Sequence, residues 1–234
     1  MGVQVPPLLL SFDYIMPELS YNQGPGMLPP QPMEGGEPFK KALFPINPFF
    51  HFRAVNADAF IDKIMSVERT PQNEKFLWGS RSSCDKYLCE DIEEWIPYWR
   101  DNLAYLTQRL QAEGSLHNAF QYRPYMPWIN WYDRRDFQEM HDHDEHDLVG
   151  VFFATSGENF SKFYFESREF PMLSAPWRYM LNIGGAYFPK IEAGDIIFFA
   201  GHMLHGVTPH QSDVTRISMS MNFDLKISGG EYQQ

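Results

Sequence analysis

The chain has 234 residues, with 19 basic against 30 acidic side chains and a formal charge of −11 at pH 7. This balance argues against a protein that binds a nucleic-acid backbone by bulk attraction, and no apolar stretch is long enough to cross a membrane. Aromatic residues make up 16% of the sequence, enough for the core of one large domain. Cys84 and Cys89 lack the second pair of a zinc site. With no export signal ahead of them, we expect free thiols in a cytoplasmic protein.

Residues 1–40 are rich in Pro, Gly and Met, as in YNQGPGMLPPQPMEGGEP. No apolar periodicity runs through this segment, which therefore predicts a flexible leader or an extended arm. An arm of this kind is suited to joining an oligomer or a larger assembly. The sequence predicts a single folded domain over residues 41–228.

The first half of this domain is predicted to supply a helical layer over residues 56–114. The layer follows ALFPINPFFHFRAV, a β-prone edge interrupted by prolines. In NADAFIDKIMSVE, Asn56 or Asp58 is a candidate N-cap for a helix with apolar residues on one face. A second helix is predicted in CEDIEEWIPYWRDNLAYLTQRLQAEG, with Pro97 in its first turn and Gly114 at its end. Its apolar stripe indicates core packing and consists of Trp95, Trp99, Leu103, Leu106 and Leu110.

The second half changes character, because short apolar runs alternate with turn residues. Such closely spaced strands without intervening helices predict an antiparallel β-sandwich over residues 120–226. SMSMNF has the two-residue period of a strand covered on one face, and Gly194 and Asp195 are predicted to form the turn before a buried strand. The runs are PWINWY, LVGVFFA, KFYFES, AYFPKIEAGDIIFFAG and RISMSMNFDL. The fold class is therefore mainly β with flanking helices.

One loop is unusually dense in metal-binding side chains, since HDHDEHD places three histidines and four acidic residues in seven positions. Redox-active iron is often held by two imidazoles and a carboxylate, and side chains at i and i+2 of a strand end face the same way. Two such pairs are present, His141 with His143 and His143 with Glu145. Asp142 and His146 also lie within reach, so the loop by itself leaves the ligands open.

A distant ligand is easier to select. IIFFAGHMLHGVTPH contains His205 directly after a buried strand and ahead of the β-prone GVT, whereas His202 and His210 are interpreted as surface or packing residues. Eleven residues beyond His205 lie Arg216 and Ser218, again an i, i+2 pair. An arginine that projects into a sandwich is costly unless it meets an anion, and its fork fits a carboxylate.

The order of these motifs resembles that of the iron(II)- and 2-oxoglutarate-dependent dioxygenases. The pattern is H-x-[acid or His], a second histidine roughly 60 residues later, and then R-x-S. The resemblance is closer to a bacterial and viral subgroup of 2-oxoglutarate/Fe(II) oxygenases with an H-x-H pair. The matching blocks are WINWYDRRDFQEMHDH, LVGVFFA, GDIIFFAGHMLHGV and RISMSMNFDL. The resemblance covers roughly residues 42–226 and is strong from Trp128 onward.

The resemblance implies a double-stranded β-helix core, of the jelly-roll or cupin-like kind, with Fe(II) and 2-oxoglutarate as cofactors. It implies that iron is ligated by His141, His143 and His205. His143 then fills the place where most of the superfamily has an aspartate or glutamate, and Glu145 is the alternative ligand that would restore a carboxylate.

The cosubstrate side of the site follows from the same resemblance. Arg216 is expected to clamp the distal carboxylate of 2-oxoglutarate, with Ser218 assisting. Tyr132 or Asn130, on the strand that leads into the loop, is expected to donate further hydrogen bonds to the cosubstrate.

The implied reaction is hydroxylation of an unidentified prime substrate, a protein side chain or a small metabolite, coupled to decarboxylation of 2-oxoglutarate to succinate. Nucleic acid is the least expected substrate on grounds of charge. Two alternatives keep the fold. One is a binding or structural module without turnover, and the other is a three-histidine cupin-type metalloenzyme that uses no 2-oxo acid.

Overall fold

The computed structural model describes residues 47–69, 82–113, 120–143, 145–176, 178 and 184–227. The leader predicted over residues 1–40, and Gly114 at the predicted end of the second helix, lie outside the described residues. In chain order the elements are β1 (Phe49–Arg53), α1 (Ala57–Met65), β2 (Asp85–Leu88), α2 (Ile96–Ala112), β3 (Phe120–Pro124), β4 (Trp128–Tyr132), β5 (Gln138–His141), β6 (Leu148–Phe153), β7 (Phe163–Glu166), β8 (Ala186–Tyr187), β9 (Asp195–Ala200), β10 (His205–Val207) and β11 (Arg216–Ile227). Short 3₁₀ turns lie at Ile92–Glu94 and Phe170–Met172.

The strands form two antiparallel sheets. The larger sheet has the order β1-β9-β6-β11-β4-β2, with β3 also paired to β11, and the smaller has the order β5-β10-β7-β8. From β4 onward the chain passes repeatedly from one sheet to the other. Four strands of each sheet, β9-β6-β11-β4 and β5-β10-β7-β8, thereby form the eight-stranded arrangement of a jelly roll. The predicted double-stranded β-helix is confirmed.

Both helices pack on the outer face of the larger sheet. The Phe60 ring of α1 stacks on Phe152 of β6 with centroids 4.1 Å apart. Trp99 of α2 meets Phe198 and Phe223 edge-on at 6.2 and 5.9 Å. Of the apolar stripe predicted on α2, Leu110 is partly buried and the other four side chains are buried. No helix among the described residues is long and apolar enough to span a membrane.

The helical layer changes the environment of β11. Residues 216–223 are all buried, so the expectation that SMSMNF is covered on one face only is wrong. The alternating pattern reflects two kinds of covered surface. Met219 and Met221 belong to the core beneath the helices, whereas Ser218 and Ser220 line a cavity between the sheets.

Two local expectations about turns and caps need adjustment. Asn56 occupies the N-cap position of α1 but makes no capping hydrogen bond. Its side-chain amide instead donates to the Tyr98 carbonyl at 3.1 Å, and its oxygen accepts from Asn102 at 2.8 Å, which joins the two helices. Gly194 is in the predicted turn with φ of 90°, a conformation that favours glycine, but Asp195 already begins β9.

The face of the larger sheet that lies toward the smaller sheet is polar along β2, β4 and β11 and apolar along β6 and β9. The strand register aligns Lys86, Asn130, Ser218 and Phe153 in one row across β2, β4, β11 and β6. Polar side chains therefore come from the first three of these strands. The buried apolar side chains that face the smaller sheet come mainly from β6 and β9 and include Val149, Val151, Phe153, Ile197 and Phe199. The polar part of the face positions the candidate site.

Candidate metal centre

Three imidazoles converge at one end of the sandwich. His141 is the last residue of β5 and is paired in register with His205, the first residue of β10. His143 lies two residues beyond β5. Each residue offers one ligand atom, and these three atoms all lie within 4.8 Å of one another. The three donors are thus close enough to be drawn around one ion.

Each ring is oriented by a hydrogen bond through its Nδ1 atom. In His141 and His205 this atom donates to the backbone carbonyl two residues earlier, at 2.8 and 2.9 Å. In His143 it donates to Oδ1 of Asn222 on β11, at 2.9 Å. A proton on Nδ1 leaves Nε2 as the unprotonated nitrogen, which is the usual arrangement of histidines that bind a metal.

The electrostatic environment keeps all three rings neutral. Burial is the main cause that lowers the pKa of His141 and takes that of His205 well below its ordinary value. For His143, burial and then the neighbouring His141 lower the pKa to about 3, and the hydrogen bond that the ring donates to Asn222 opposes this shift. Metal ions bind the neutral form of imidazole. The cluster therefore presents three lone pairs at neutral pH.

Other candidates from the same loop lie outside the cluster. Glu145 is exposed and is not among the described side chains that could share an ion with the three histidines. Asp142 forms an ion pair with Arg168, which follows β7. His146 bonds through Nδ1 to Asp224 at 3.2 Å.

The two further histidines near His205 make packing contacts. His202 bonds to Oδ1 of Asn47 at 3.2 Å. His210 is fully buried. Its Nδ1 accepts a hydrogen bond from the Ser161 amide at 3.0 Å, and its Nε2 donates to the Val214 carbonyl at 2.8 Å. Both of its nitrogens are therefore occupied.

Arg216 is a buried cation on the inner face of β11. Its side chain is enclosed, with the residue 3% exposed, and its guanidinium carbon lies 4.7 Å from the Tyr132 ring centroid and 5.4 Å from that of Phe153. The Nη1 atom has no hydrogen-bond partner, and no described carboxylate lies within ion-pair distance. Burial lowers the pKa of Arg216, although the Tyr132 hydroxyl opposes this. A buried cation without a counter-ion is suited to binding an anion.

A cavity between the sheets connects this arginine to the histidines. Its walls consist of Lys86, Trp128, Asn130, Tyr132, Gln138, His141, Val149, Val151, Phe163, His205, Val207, Arg216, Ser218 and Ser220. These lining residues include two cations and neither Asp nor Glu. Arg216 and Phe163 also line a larger neighbouring cavity of about 460 Å³.

The structure thus brings together most of the residues selected from the sequence. His141 and His205 line the cavity, and His143 completes their cluster. Arg216, Ser218, Tyr132 and Asn130 line it, and Glu145 does not. Sequence reasoning missed Asn222, which orients His143, and the buried Lys86. For Asn222 a usable signal was its position six residues after Arg216, which places both side chains on the same face of one strand.

Comparison with known proteins gives a match over the part of the chain that contains this site. Residues 126–222 match the family model described as "Putative 2OG-Fe(II) oxygenase". The matched segment begins just before β4 and ends at Asn222, so it contains the three histidines and Arg216. No curated protein matches the chain significantly.

Several solved structures are similar to the chain. HygX from Streptomyces hygroscopicus, solved with nickel and 2-oxoglutarate bound, is 10% identical, with 75% of this chain and 82% of that chain covered and a TM-score of 0.49. A prolyl-4-hydroxylase from Pseudomonas putida is 14% identical, with coverage of 75% and 91% and a TM-score of 0.46. A viral collagen prolyl hydroxylase from Paramecium Bursaria Chlorella virus-1 is 12% identical, with coverage of 75% and 94% and a TM-score of 0.47.

The family match covers the whole stretch from which the histidine cluster and its facing arginine are built. The match extends over 97 of the 234 residues, and this segment is similar to the 2OG-Fe(II) oxygenases.

Proposed function

We propose that the protein hydroxylates a prime substrate in a reaction that decarboxylates 2-oxoglutarate to succinate. One observation carries this proposal: a cluster of three neutral imidazoles, two of which line a cavity, faces a buried arginine in the same cavity that has no counter-ion among the described residues. When bound, iron supplies the oxygen chemistry of the family. The protein's own groups bind and orient the reactants.

In this proposal the iron ligands are His141, His143 and His205. The donor set fits Fe(II), since imidazole is a good ligand for iron and all three rings are neutral at pH 7. Backbone carbonyls hold two of the rings and Asn222 holds the third. Removal of a residue that hydrogen-bonds to a metal ligand typically weakens metal binding by roughly ten- to a hundredfold.

Arg216 would bind the distal carboxylate of 2-oxoglutarate. The carboxylate would supply the anion that the guanidinium lacks, and the fork can donate two parallel hydrogen bonds. Ser218 lies in the next row toward the histidines, paired with Asn130 on β4. Tyr132 keeps its proton, because burial raises its pKa well above the ordinary value. All three residues can therefore donate hydrogen bonds to the cosubstrate.

The prime substrate is proposed to be a protein side chain or a small metabolite. The cavity lining has no carboxylate to attract a cation, and the net charge of −11 opposes a polyanion. The roles predicted for the leader, in assembly or oligomer formation, stay predictions.

Anaerobic titration tests the proposal directly. Addition of Fe(II) and then 2-oxoglutarate should produce the visible charge-transfer band expected of this family, and slow succinate release should follow admission of air. Arg216→Ala should lose 2-oxoglutarate binding and retain the metal. The control Arg109→Ala, at an exposed arginine on α2, should bind both as the wild type does. A folded, iron-loaded protein with no band and no succinate would instead be a module without turnover. Normal 2-oxoglutarate binding by Arg216→Ala would refute the clamp.

The choice of second ligand has a separate test. His143→Ala should abolish iron binding, because it removes a member of the cluster. Glu145→Ala should leave iron binding unchanged, since this side chain is exposed and outside the cluster. The opposite pattern, measured by metal content after gel filtration, would establish the carboxylate as the ligand.

A further inference from the structure

Arg216 also borders a second cavity, whose lining differs from that of the cavity beside the histidines. It has a volume of about 460 Å³ and is formed by residues of the β6–β7 loop (155–162) and the β8–β9 loop (188–191), together with Phe153, Phe163 and Arg216. Cavities of this size hold small-molecule ligands in many proteins. We refer to it as the far cavity.

The far cavity lies toward the end of the sandwich opposite to the metal cluster. On β7, Phe163 pairs with Val207, whereas His205 pairs with Phe165, two residues further along the strand. Arg216 is the first residue of β11, six positions before the residue that orients the third imidazole. No histidine is among the described residues that line the far cavity. A ligand in this cavity would therefore lie behind Arg216, out of contact with the proposed metal ligands.

The far cavity has an excess of positive charge. Lys162, Lys190 and Arg216 line it, and the described lining contains neither Asp nor Glu. Lys162 forms no ion pair with a described carboxylate. Lys190 lies 3.7 Å from Glu192, but both side chains are highly exposed, and such surface pairs contribute little. Clustered cations in a concave site attract anions, so the lining selects for a negatively charged ligand.

Arg216 is the part of this lining that is buried and incompletely bonded. The residue is 3% exposed, and its Nη1 atom has no hydrogen-bond partner. It is also the charged residue that the described linings of the two cavities share. A guanidinium has more N–H donors than one carboxylate can accept. Arg216 can therefore bind an anion from each of the two cavities.

The remaining wall of the far cavity is largely aromatic. Ser156 adds a hydroxyl group, whose oxygen accepts a hydrogen bond from the Ala193 amide at 3.0 Å and whose proton is left to donate to a ligand. The aromatic side chains are Phe153, Phe160, Phe163 and Phe188. Aromatic rings contribute a large apolar contact area. The lining as a whole therefore fits an anion that carries an apolar group better than it fits a bare inorganic ion.

We propose that the far cavity binds a small organic anion, a phosphate or carboxylate with an apolar group, which shares Arg216 with 2-oxoglutarate and weakens the binding of that cosubstrate. Two anions beside one guanidinium repel each other, and the antagonism between them must be reciprocal. The anion site itself is independent of the proposed function, whereas the antagonism rests on it, because it assumes that Arg216 binds 2-oxoglutarate.

Phenyl phosphate is a suitable probe, since it joins an anion to an aromatic ring. Calorimetry on the metal-free full chain, in which the phosphate cannot bind to iron, should show binding at least tenfold tighter than that of phenol or inorganic phosphate. Lys162→Met combined with Lys190→Met should weaken phenyl phosphate binding at least tenfold, because both cations are lost. Lys226→Met, at an exposed lysine on β11, should bind the probe as the wild type does.

The double lysine variant has a second readout that damage to the fold would change. Neither lysine lines the cavity beside the histidines, so the Fe(II)-loaded variant should bind 2-oxoglutarate as the wild type does under anaerobic conditions. In the wild type, phenyl phosphate at saturation should weaken 2-oxoglutarate binding at least fivefold. The same concentration should have little effect on the double variant. Arg216→Met should weaken the binding of both ligands.

The outcomes separate this inference from the proposed function. Absence of phenyl phosphate binding at millimolar concentrations, or equal binding by the wild type and the double lysine variant, would overturn the anion site. Equal affinity for 2-oxoglutarate with and without bound phenyl phosphate would overturn the antagonism. A wild-type protein that binds phenyl phosphate but, when loaded with iron, does not bind 2-oxoglutarate would refute the proposed function and support the anion site.

Discussion

Replacement of Arg216 by methionine should make the metal-free protein more stable while it abolishes cosubstrate binding. The guanidinium is 3% exposed, has an unpartnered Nη1 atom and faces no described carboxylate. Burial of an ion costs several kcal/mol, and replacement of buried charge by an apolar side chain of similar volume often gains about 1–4 kcal/mol. The contacts with the Tyr132 and Phe153 rings return part of that cost, about 0.5–2 kcal/mol. A net gain of about 1–2 kcal/mol is therefore expected.

Binding of 2-oxoglutarate should change in the opposite direction. Loss of one partner of a desolvated charge pair typically costs about 2–5 kcal/mol, which corresponds to roughly a 30- to 4,000-fold weaker complex. Urea unfolding of the metal-free protein, compared through the midpoint at constant slope, measures the stability. Calorimetry on the Fe(II)-loaded protein measures the binding.

The same pair of measurements can refute the reasoning. If Arg216→Met lowers the unfolding free energy by several kcal/mol, the arginine has an internal counter-ion and is part of the scaffold. The matched control is Arg109→Met, an exposed residue whose i, i+4 pair with Glu113 is worth only about 0.3–0.5 kcal/mol. Both measurements should be nearly unchanged in that variant.

Three further predictions concern the metal end of the cavity. A Cβ atom at position 201 would overlap the carbonyl oxygens of His146 and His143. Gly201→Ala should therefore weaken iron binding at least tenfold and lower the unfolding free energy by about 1–3 kcal/mol. Unchanged metal content would contradict this. Iron affinity should fall less steeply between pH 7 and pH 5 than at a site of exposed histidines, because burial lowers the pKa of all three rings. A loss as steep as that of exposed imidazoles, starting at about pH 6.5, would contradict this. Burial lowers the pKa of Lys86 from 10.5 to about 8, so between these pH values the lysine is protonated in the unfolded chain and neutral in the folded one. The unfolding free energy of the wild type, relative to that of Lys86→Met, should therefore rise by about 3 kcal/mol as the pH increases through this range. A decrease over the same range would contradict the lowered pKa.

The histidine cluster could be predicted from the sequence because its members lie in short motifs. His141 and His143 stand two positions apart at a strand end, and His205 follows β9, which is apolar after Asp195. The pairing of His141 with His205 could not be read in the same way, since it depends on the register between β5 and β10. These are strands of four and three residues, too short to show a period. Their alignment is set by packing across the whole sandwich.

Lys86 was missed for a different reason. β2 has the sequence DKYL, in which Asp and Lys are poor strand formers, and lysine on an edge strand is usually a solvated residue that discourages further pairing. Here the lysine is buried, and its ammonium group donates a hydrogen bond to Gln138 on β5 of the smaller sheet. Asn56 shows the same limit on a smaller scale. Its local context favours a cap, but contact with α2 offers its amide better partners.

A single strand carries both reference points of the cavity, with Arg216 at its start and Asn222, which orients His143, six residues later. The distance between Arg216 and the residue that orients His143 is therefore set along one strand, at about 3.3 Å per residue. A change in the distance between the two sheets would alter the width of the cavity but not this distance along β11. If Arg216 binds the distal carboxylate as proposed, the distance available to a dicarboxylate is therefore fixed by β11 and does not depend on how the two sheets pack.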